Sequence, residues 1–220
     1  MSGGLRSTLV AISTAVVIVG VSVAILLMPW FTAVMVPASG AYELSGLSPA
    51  QTLSVAEQVR SFVTHAGGTL PAEIDGRPAF DAAAAAHLRD VRDVVIAARW
   101  ITLAALVGLC VLIAHAVAHN AQRALARGFI EAGYVLLAVL MLTAVAGALD
   151  FDAFFAAFHS LFFSAGTWMF PADALIIRIF PVKFWIGAAV LLGVLVALGC
   201  AGFIVVGRRL RALQAPRCDD

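Results

Sequence analysis

Charged side chains are scarce. Asp, Glu, Lys and Arg make up 12% of the 220 residues, while 62% are hydrophobic. Soluble domains carry about 25% charged residues, so this balance excludes an ordinary soluble fold and indicates an integral membrane protein. An excess of either charge is also lacking: 14 Lys and Arg stand against 13 Asp and Glu. No basic tract occurs beyond short clusters at the ends of apolar runs, which disfavours nucleic-acid binding. The 3 cysteines support neither a disulfide framework nor a CxxC metal site. Cys110 and Cys200 fall inside apolar runs and Cys218 lies in the tail, so all read as packing residues. There is no HExxH pattern, no Gly-x-Ser-x-Gly elbow, no internal repeat and no low-complexity linker. Without the elbow, Ser160 and Ser164 are poor serine nucleophiles.

What the chain has in abundance is apolar length. Four stretches are long enough to cross a hydrocarbon core, which needs roughly 20 apolar residues: about Thr8–Met28, Val94–Ala118, Phe129–Leu149 and Phe184–Val206. The first is followed by Met28-Pro29-Trp30 with no small-residue cleavage site, so it reads as a retained helix rather than a signal peptide. Arg6, Arg123, Arg127, Arg208, Arg209 and Arg211 then all share one side, which the positive-inside bias makes the cytoplasm. Both termini are expected there. The loops 36–93 and 150–183 face outward. The expectation is a single all-α membrane domain over 1–220, with a small, mainly helical extracytoplasmic part (about 37–93 and 150–183).

The first outer segment carries its own punctuation. Ser48-Pro49-Ala50-Gln51 reads as a helix start with a capping box and proline at the first helical position. Apolar Leu53, Val55, Val59 and Phe62 continue it at helical spacing. A turn-rich piece reaches Gly76-Arg77-Pro78. A second helix then opens near Asp81 and runs unbroken into the second span. The second outer loop reads as mostly helical until Gly166 and Pro171, followed by a short amphipathic piece over 173–180.

Two histidines stand out. His159 lies in the aromatic-rich stretch Phe151–Pro171, between two spans and so at the membrane surface, where an ionisable side chain is costly and a functional candidate. His87 precedes the second span by about seven residues, roughly 10 Å along a helix, on the same side. Imidazoles titrate near neutral pH and suit proton transfer, and the aromatics suit acyl chains. Asp90 shares a helix face with His87. Asp173 lies at similar depth, and Arg99 stands just inside the second span, placed to snorkel or to bind a carboxylate. His115 and His119, at i,i+4 spacing, read as interfacial anchors, and Glu131 as a partner for Arg127. His87, Asp90 and His159 are ligand types that suit zinc, but without an HExxH pattern no metal is expected.

Two motifs carry a family resemblance. One is Phe158-His159-Ser160-Leu161-Phe162-Phe163 with Thr167-Trp168, Pro171-Ala172-Asp173 and Phe180-Pro181. The other is His87-Leu88-Arg89-Asp90-Val91. Together with the four-span topology they resemble the lipoprotein intramolecular transacylase family of bacterial membrane proteins. The resemblance implies transfer of the sn-2 acyl chain of a diacylglyceryl-cysteine to that cysteine's own α-amino group, giving lyso-form lipoprotein. It maps the functional histidines onto His159 and His87; Asp90, Phe158, Phe162, Phe163, Trp168, Asp173 and Arg99 are expected as substrate-binding or supporting residues. It implies no metal or soluble cofactor, and as partners diacylated lipoproteins and membrane lipids rather than an obligate protein. The expected location is the bacterial cytoplasmic membrane, with the site at the outer leaflet. The reading from another class is a non-catalytic lipid-binding scaffold or partner subunit. A transporter is disfavoured, because no charge lies deep in any span.

Overall fold

The computed structural model describes residues 3–214, and Cys218 lies outside them. Its helices, in chain order, are α1 (Gly3–Leu26), α2 (Pro29–Ala38), α3 (Ala41–Leu44), α4 (Pro49–Thr64), α5 (Ala82–Ala118), α6 (Gln122–Leu149), α7 (Phe151–Ser160), α8 (Leu175–Ile179) and α9 (Val182–Ala212). Two short strands, β1 (Glu73–Ile74) and β2 (Arg77–Pro78), pair antiparallel. Helices α1, α5, α6 and α9 are long and apolar enough to cross a membrane. They bear exposed apolar side chains such as Val111, Leu142 and Leu198, the surface lipid tails solvate. The protein is therefore an all-α, multi-pass membrane protein.

Three of these helices outrun the expected spans. α6 starts at Gln122 and α9 continues to Ala212, because Arg123, Arg127, Arg208 and Arg209 sit on exposed faces where helix costs them nothing. α5 starts at Ala82, where the Asp81 carboxylate accepts from the Ala84 amide at 2.7 Å and caps it. Residues 82–93 of α5 include Arg89, Asp90, Arg92 and Asp93, so the membrane-crossing part begins near Val94. The expected α7 is shorter than its pattern, ending at Ser160. Arg60–Glu57 is the one ion pair among the described residues, so the anticipated Arg127–Glu131 pair is not formed.

The chain divides into two compact units. One comprises the chain up to Val23, Arg99–Ala148 and the chain from Leu192. Here α1 buries Ser7, Val10, Thr14, Val17, Ile18 and Ser22, a stripe at helical spacing. Small residues let helix backbones approach. A Cβ on Gly128 would lie 2.6 Å from the Val10 side chain and 2.7 Å from the Ser7 carbonyl oxygen. Gly128→Ala should therefore cost about 1–3 kcal/mol, read as a lower unfolding midpoint in detergent. Gly202, with nothing within 4 Å, supplies the control, and equal midpoints for the two alanine variants would refute the close approach.

The other unit comprises Ala24–Ala98 and Leu149–Leu191. Ser48 caps α4 with the full capping box: the Gln51 amide donates to Ser48 Oγ at 3.3 Å, and the Ser48 amide to Gln51 Oε1 at 3.0 Å. Buried Val55, Val59, Phe62 and Val63 line one face of α4. They join two apolar clusters with Phe31, Val36, Ile176, Ile179 and Phe184. Arg60 donates to the Leu27 carbonyl at 3.0 Å, satisfying an acceptor left open where α1 ends. The strand pair turns through Asp75 and Gly76, with φ of 51° and 76°, the signature of a type I′ hairpin. Sequence reading had only a turn-rich piece there, although Asp-Gly announces it.

Candidate active site

Both histidines belong to this second unit, each placed by helical register. On α5, Ala84, His87 and Leu88 are buried while Arg89 and Asp90 are exposed, so His87 lies on the inward face. On α7, whose first turn is capped by the Asp150 carboxylate accepting from the Ala153 amide at 2.9 Å, His159 follows Phe155 by four residues and shares its face. The backbone then turns back through Gly166, whose φ of +84° glycine adopts without strain. Thr167 Oγ1 donates to the Ser164 carbonyl at 2.9 Å, and this turn returns Trp168 to His159.

The two imidazoles meet. Their ring centroids lie 6.3 Å apart with planes tilted 30°, and His87 and His159 are only 7% and 8% exposed. Aromatic rings enclose them. Phe155 lies 3.9 Å from His159 and Trp168 lies 4.8 Å from it. Phe163 stands edge-on to His87 at 4.9 Å and 5.7 Å from His159. Phe170 completes the enclosure at 5.6 Å from His87.

Hydrogen bonding fixes one tautomer. His159 Nδ1 lies 2.9 Å from the Phe155 carbonyl oxygen, which can only accept, so Nδ1 carries the proton and the neutral ring leaves Nε2 with a free lone pair. Burial lowers the His159 pKa below its usual 6.5, and the bond to Phe155 opposes this in part. His87 is lowered too, first by burial and then by the neighbouring His159, with Asp90 opposing. Both rings are thus neutral at pH 7, and the pair resists holding two protons at once. Within this enclosure two buried polar atoms meet no partner among the described residues, His87 Nδ1 and Trp168 Nε1. A buried unpaired donor of this kind costs about 1–3 kcal/mol.

The other expected residues are placed as follows. Phe158 contacts His159 at 5.7 Å but is half exposed, as is Phe162, which touches Phe158 and Phe163 rather than a histidine. Asp90 and Asp173 are exposed, and neither forms a hydrogen bond to an imidazole among the described residues. Asp90 acts on His87 through its charge alone. Arg99 is exposed and belongs to the other unit. Sequence reading missed Phe155 and Phe170. Phe155 was detectable from its i−4 position to His159, whereas Phe170 gave no local signal. A cavity of about 440 Å³ lined by Phe62, Leu70, Phe80, Arg89 and Arg92 carries neither histidine.

Comparison with known proteins bears on this geometry. Residues 8–185 match the family model described as lipoprotein intramolecular transacylase Lit. Comparison with curated proteins finds no match. Among solved structures, the chain resembles the membrane integral lipoprotein intramolecular transacylase Lit from Bacillus cereus, with a TM-score of 0.77 at 15% identity over 96% of this chain and 97% of that one. A variant of that protein carrying a histidine-to-arginine substitution gives 0.76 at 17% identity, covering 96% and 93%. At such identity these likenesses show a common fold.

Proposed function

This chain belongs to the lipoprotein intramolecular transacylase family of membrane acyltransferases, and we propose that His159 and His87 carry its reaction. The observation supporting that assignment is the buried meeting of the two neutral imidazoles, 6.3 Å apart inside one aromatic enclosure. The proposed substrate is a lipoprotein whose N-terminal cysteine bears a diacylglyceryl group. The acyl chain on the sn-2 oxygen moves to the α-amino group of the same cysteine. The proposed setting is the bacterial cytoplasmic membrane, with the arginine-rich helix ends and both termini inside and the histidines at the outer leaflet.

The chemistry follows from the groups present. An α-amine has a pKa near 7.7–8.0, so only its minor neutral form attacks at neutral pH. As its nitrogen bonds to the ester carbonyl carbon, it sheds a proton to His159 Nε2. The carbonyl oxygen becomes an oxyanion, to which a ring N–H of His87 donates. When the intermediate collapses, the bond from carbon to glyceryl oxygen breaks and His159 returns its proton to that oxygen. Counted from the neutral amine, the sum is one ester broken, one amide formed and no net proton change. Nucleophile and ester sit in one molecule, so the protein acts chiefly by folding its substrate into attack geometry. Half-exposed Phe158 and Phe162 and exposed Leu161 offer acyl chains an apolar bed, and the ester reaches the histidines by parting the rings over them.

The test is expression of this chain in a bacterial host lacking other N-acylating enzymes, with mass spectrometry of a model lipoprotein's N-terminus. Conversion of the diacyl form to an isobaric lyso-form with an N-acylated cysteine is the expected result. A persistently free α-amino group would reject the reading.

A further inference from the structure

Three of the four tryptophans have indole nitrogens in ordinary circumstances. Trp30 and Trp100 are exposed, and Trp185 donates its N–H to the Phe180 carbonyl at 3.0 Å. Trp168 differs. Its Nε1 is buried and meets no acceptor among the described residues, while its ring lies 4.8 Å from that of His159 at a tilt of 34°. An indole N–H only donates. Buried beside the reacting pair, it lacks an acceptor that a substrate oxygen can supply.

We propose that Trp168 is a catalytic residue whose indole N–H donates to the carbonyl oxygen of the scissile sn-2 ester and to the oxyanion that this oxygen becomes. The assignment rests on the role of the histidines given above and deepens it. The attacking amine must lie within hydrogen-bond reach of His159 Nε2, about 3 Å. The carbonyl carbon lies next to the amine, and its oxygen one bond further. A donor on a ring packed against His159 is therefore within reach of that oxygen. As the nitrogen–carbon bond forms, the carbonyl π pair moves onto oxygen, where Trp168 and His87 both donate. As the carbon–oxygen bond to glycerol breaks, that pair returns. The indole proton stays on nitrogen throughout, so this donor neither titrates nor competes with His159 for the amine proton.

Its position is built in before substrate arrives. The turn over 164–167 is closed by the Thr167 hydroxyl on the Ser164 carbonyl, and Phe155 lies edge-on to the Trp168 ring at 6.4 Å. Preorganised donors in a water-poor site favour the charged transition state over the neutral ester. The effect should therefore fall on kcat rather than on KM.

Trp168→Phe removes the N–H and keeps an aromatic ring. Its kcat should fall by about 10²-fold, with KM within about threefold of the parent. A parallel variant carrying β-(3-benzothienyl)alanine at 168 keeps the bicyclic shape with sulfur in place of N–H, and should show the same loss even if Trp168→Phe fails to fold. A second readout uses 15N-labelled tryptophan in the full chain and a diacylglyceryl-cysteine peptide whose α-amine is acetylated, so that it binds without reacting. The indole resonance missing in Trp168→Phe should move downfield with this peptide and stay put with one lacking the sn-2 acyl group. Activity of the benzothienyl variant within twofold of the parent would overturn the proposal, as would an unmoved resonance. His159→Ala run alongside separates the failures: if it is inactive while the benzothienyl variant is active, only the Trp168 role falls, whereas an active His159→Ala removes the histidine reading itself.

Discussion

Replacing His159 with alanine is expected to slow lyso-form production by about 10³-fold. The proton of the attacking amine then has no base, because the carbonyl of Phe155 that orients the ring in the parent cannot take its place. Single-turnover conversion of a diacylglyceryl-cysteine peptide, followed by mass spectrometry, measures the loss. An undiminished rate would remove His159 from the reaction. The direction of its pKa adds a signature. Burial holds the imidazole below 6.5, so it stays neutral and able to accept a proton as pH falls from 7 through 6.5. Below the amine pKa, the logarithm of the rate should therefore fall with a slope of one through pH 6.5, reflecting the amine alone. It should steepen to two only at lower pH, once the imidazole is protonated as well. A break to slope two at or above 6.5 would mean an ordinary, unshifted imidazole. The same shift lowers stability in acid. The unfolded chain takes up these protons from about pH 6.5 downward and the folded one resists them, so stability declines as pH drops from 6.5 toward the folded value.

His87→Ala should cost about 10²-fold, the usual effect of losing one donor to an oxyanion. Its companion, His87→Gln, tests the role itself. A glutamine amide can donate to an oxyanion but cannot accept a proton as a base, so His87→Gln should retain clearly more activity than His87→Ala. Equal activity of the two variants would assign His87 a proton-transfer step instead. Thermal unfolding in detergent belongs beside both, since His87 packs edge-on against Phe163 and alanine leaves a gap there.

The two helices bearing the histidines were legible for local reasons. Asp81 caps α5, and the alternation of buried Ala84, His87 and Leu88 with exposed Arg89 and Asp90 follows ordinary helical periodicity. The capping box of α4 was equally plain, because Ser48, Pro49 and Gln51 act through bonds spanning three residues. The Asp75-Gly76 hairpin was also written locally and was overlooked. The end of α7 at Ser160 was not readable. The aromatic pattern continues past it, and the turn through Gly166 brings Trp168 against His159, nine residues earlier.

The sequence by itself determined that this is an all-α membrane protein and which two histidines are its candidates. Those properties depend on composition, 3.6-residue periodicity and short motifs. Only the tertiary structure decided that the two imidazoles meet, that a backbone carbonyl rather than Asp90 holds His159, and that Phe155 and Phe170 close the site. It also decided that the indole N–H of Trp168 is buried without an acceptor. Apart from the contacts of Phe155, four residues before His159, these depend on residues 9 to 83 positions from one another meeting in space. Such packing follows from burying whole apolar faces together, which no local pattern along the chain encodes.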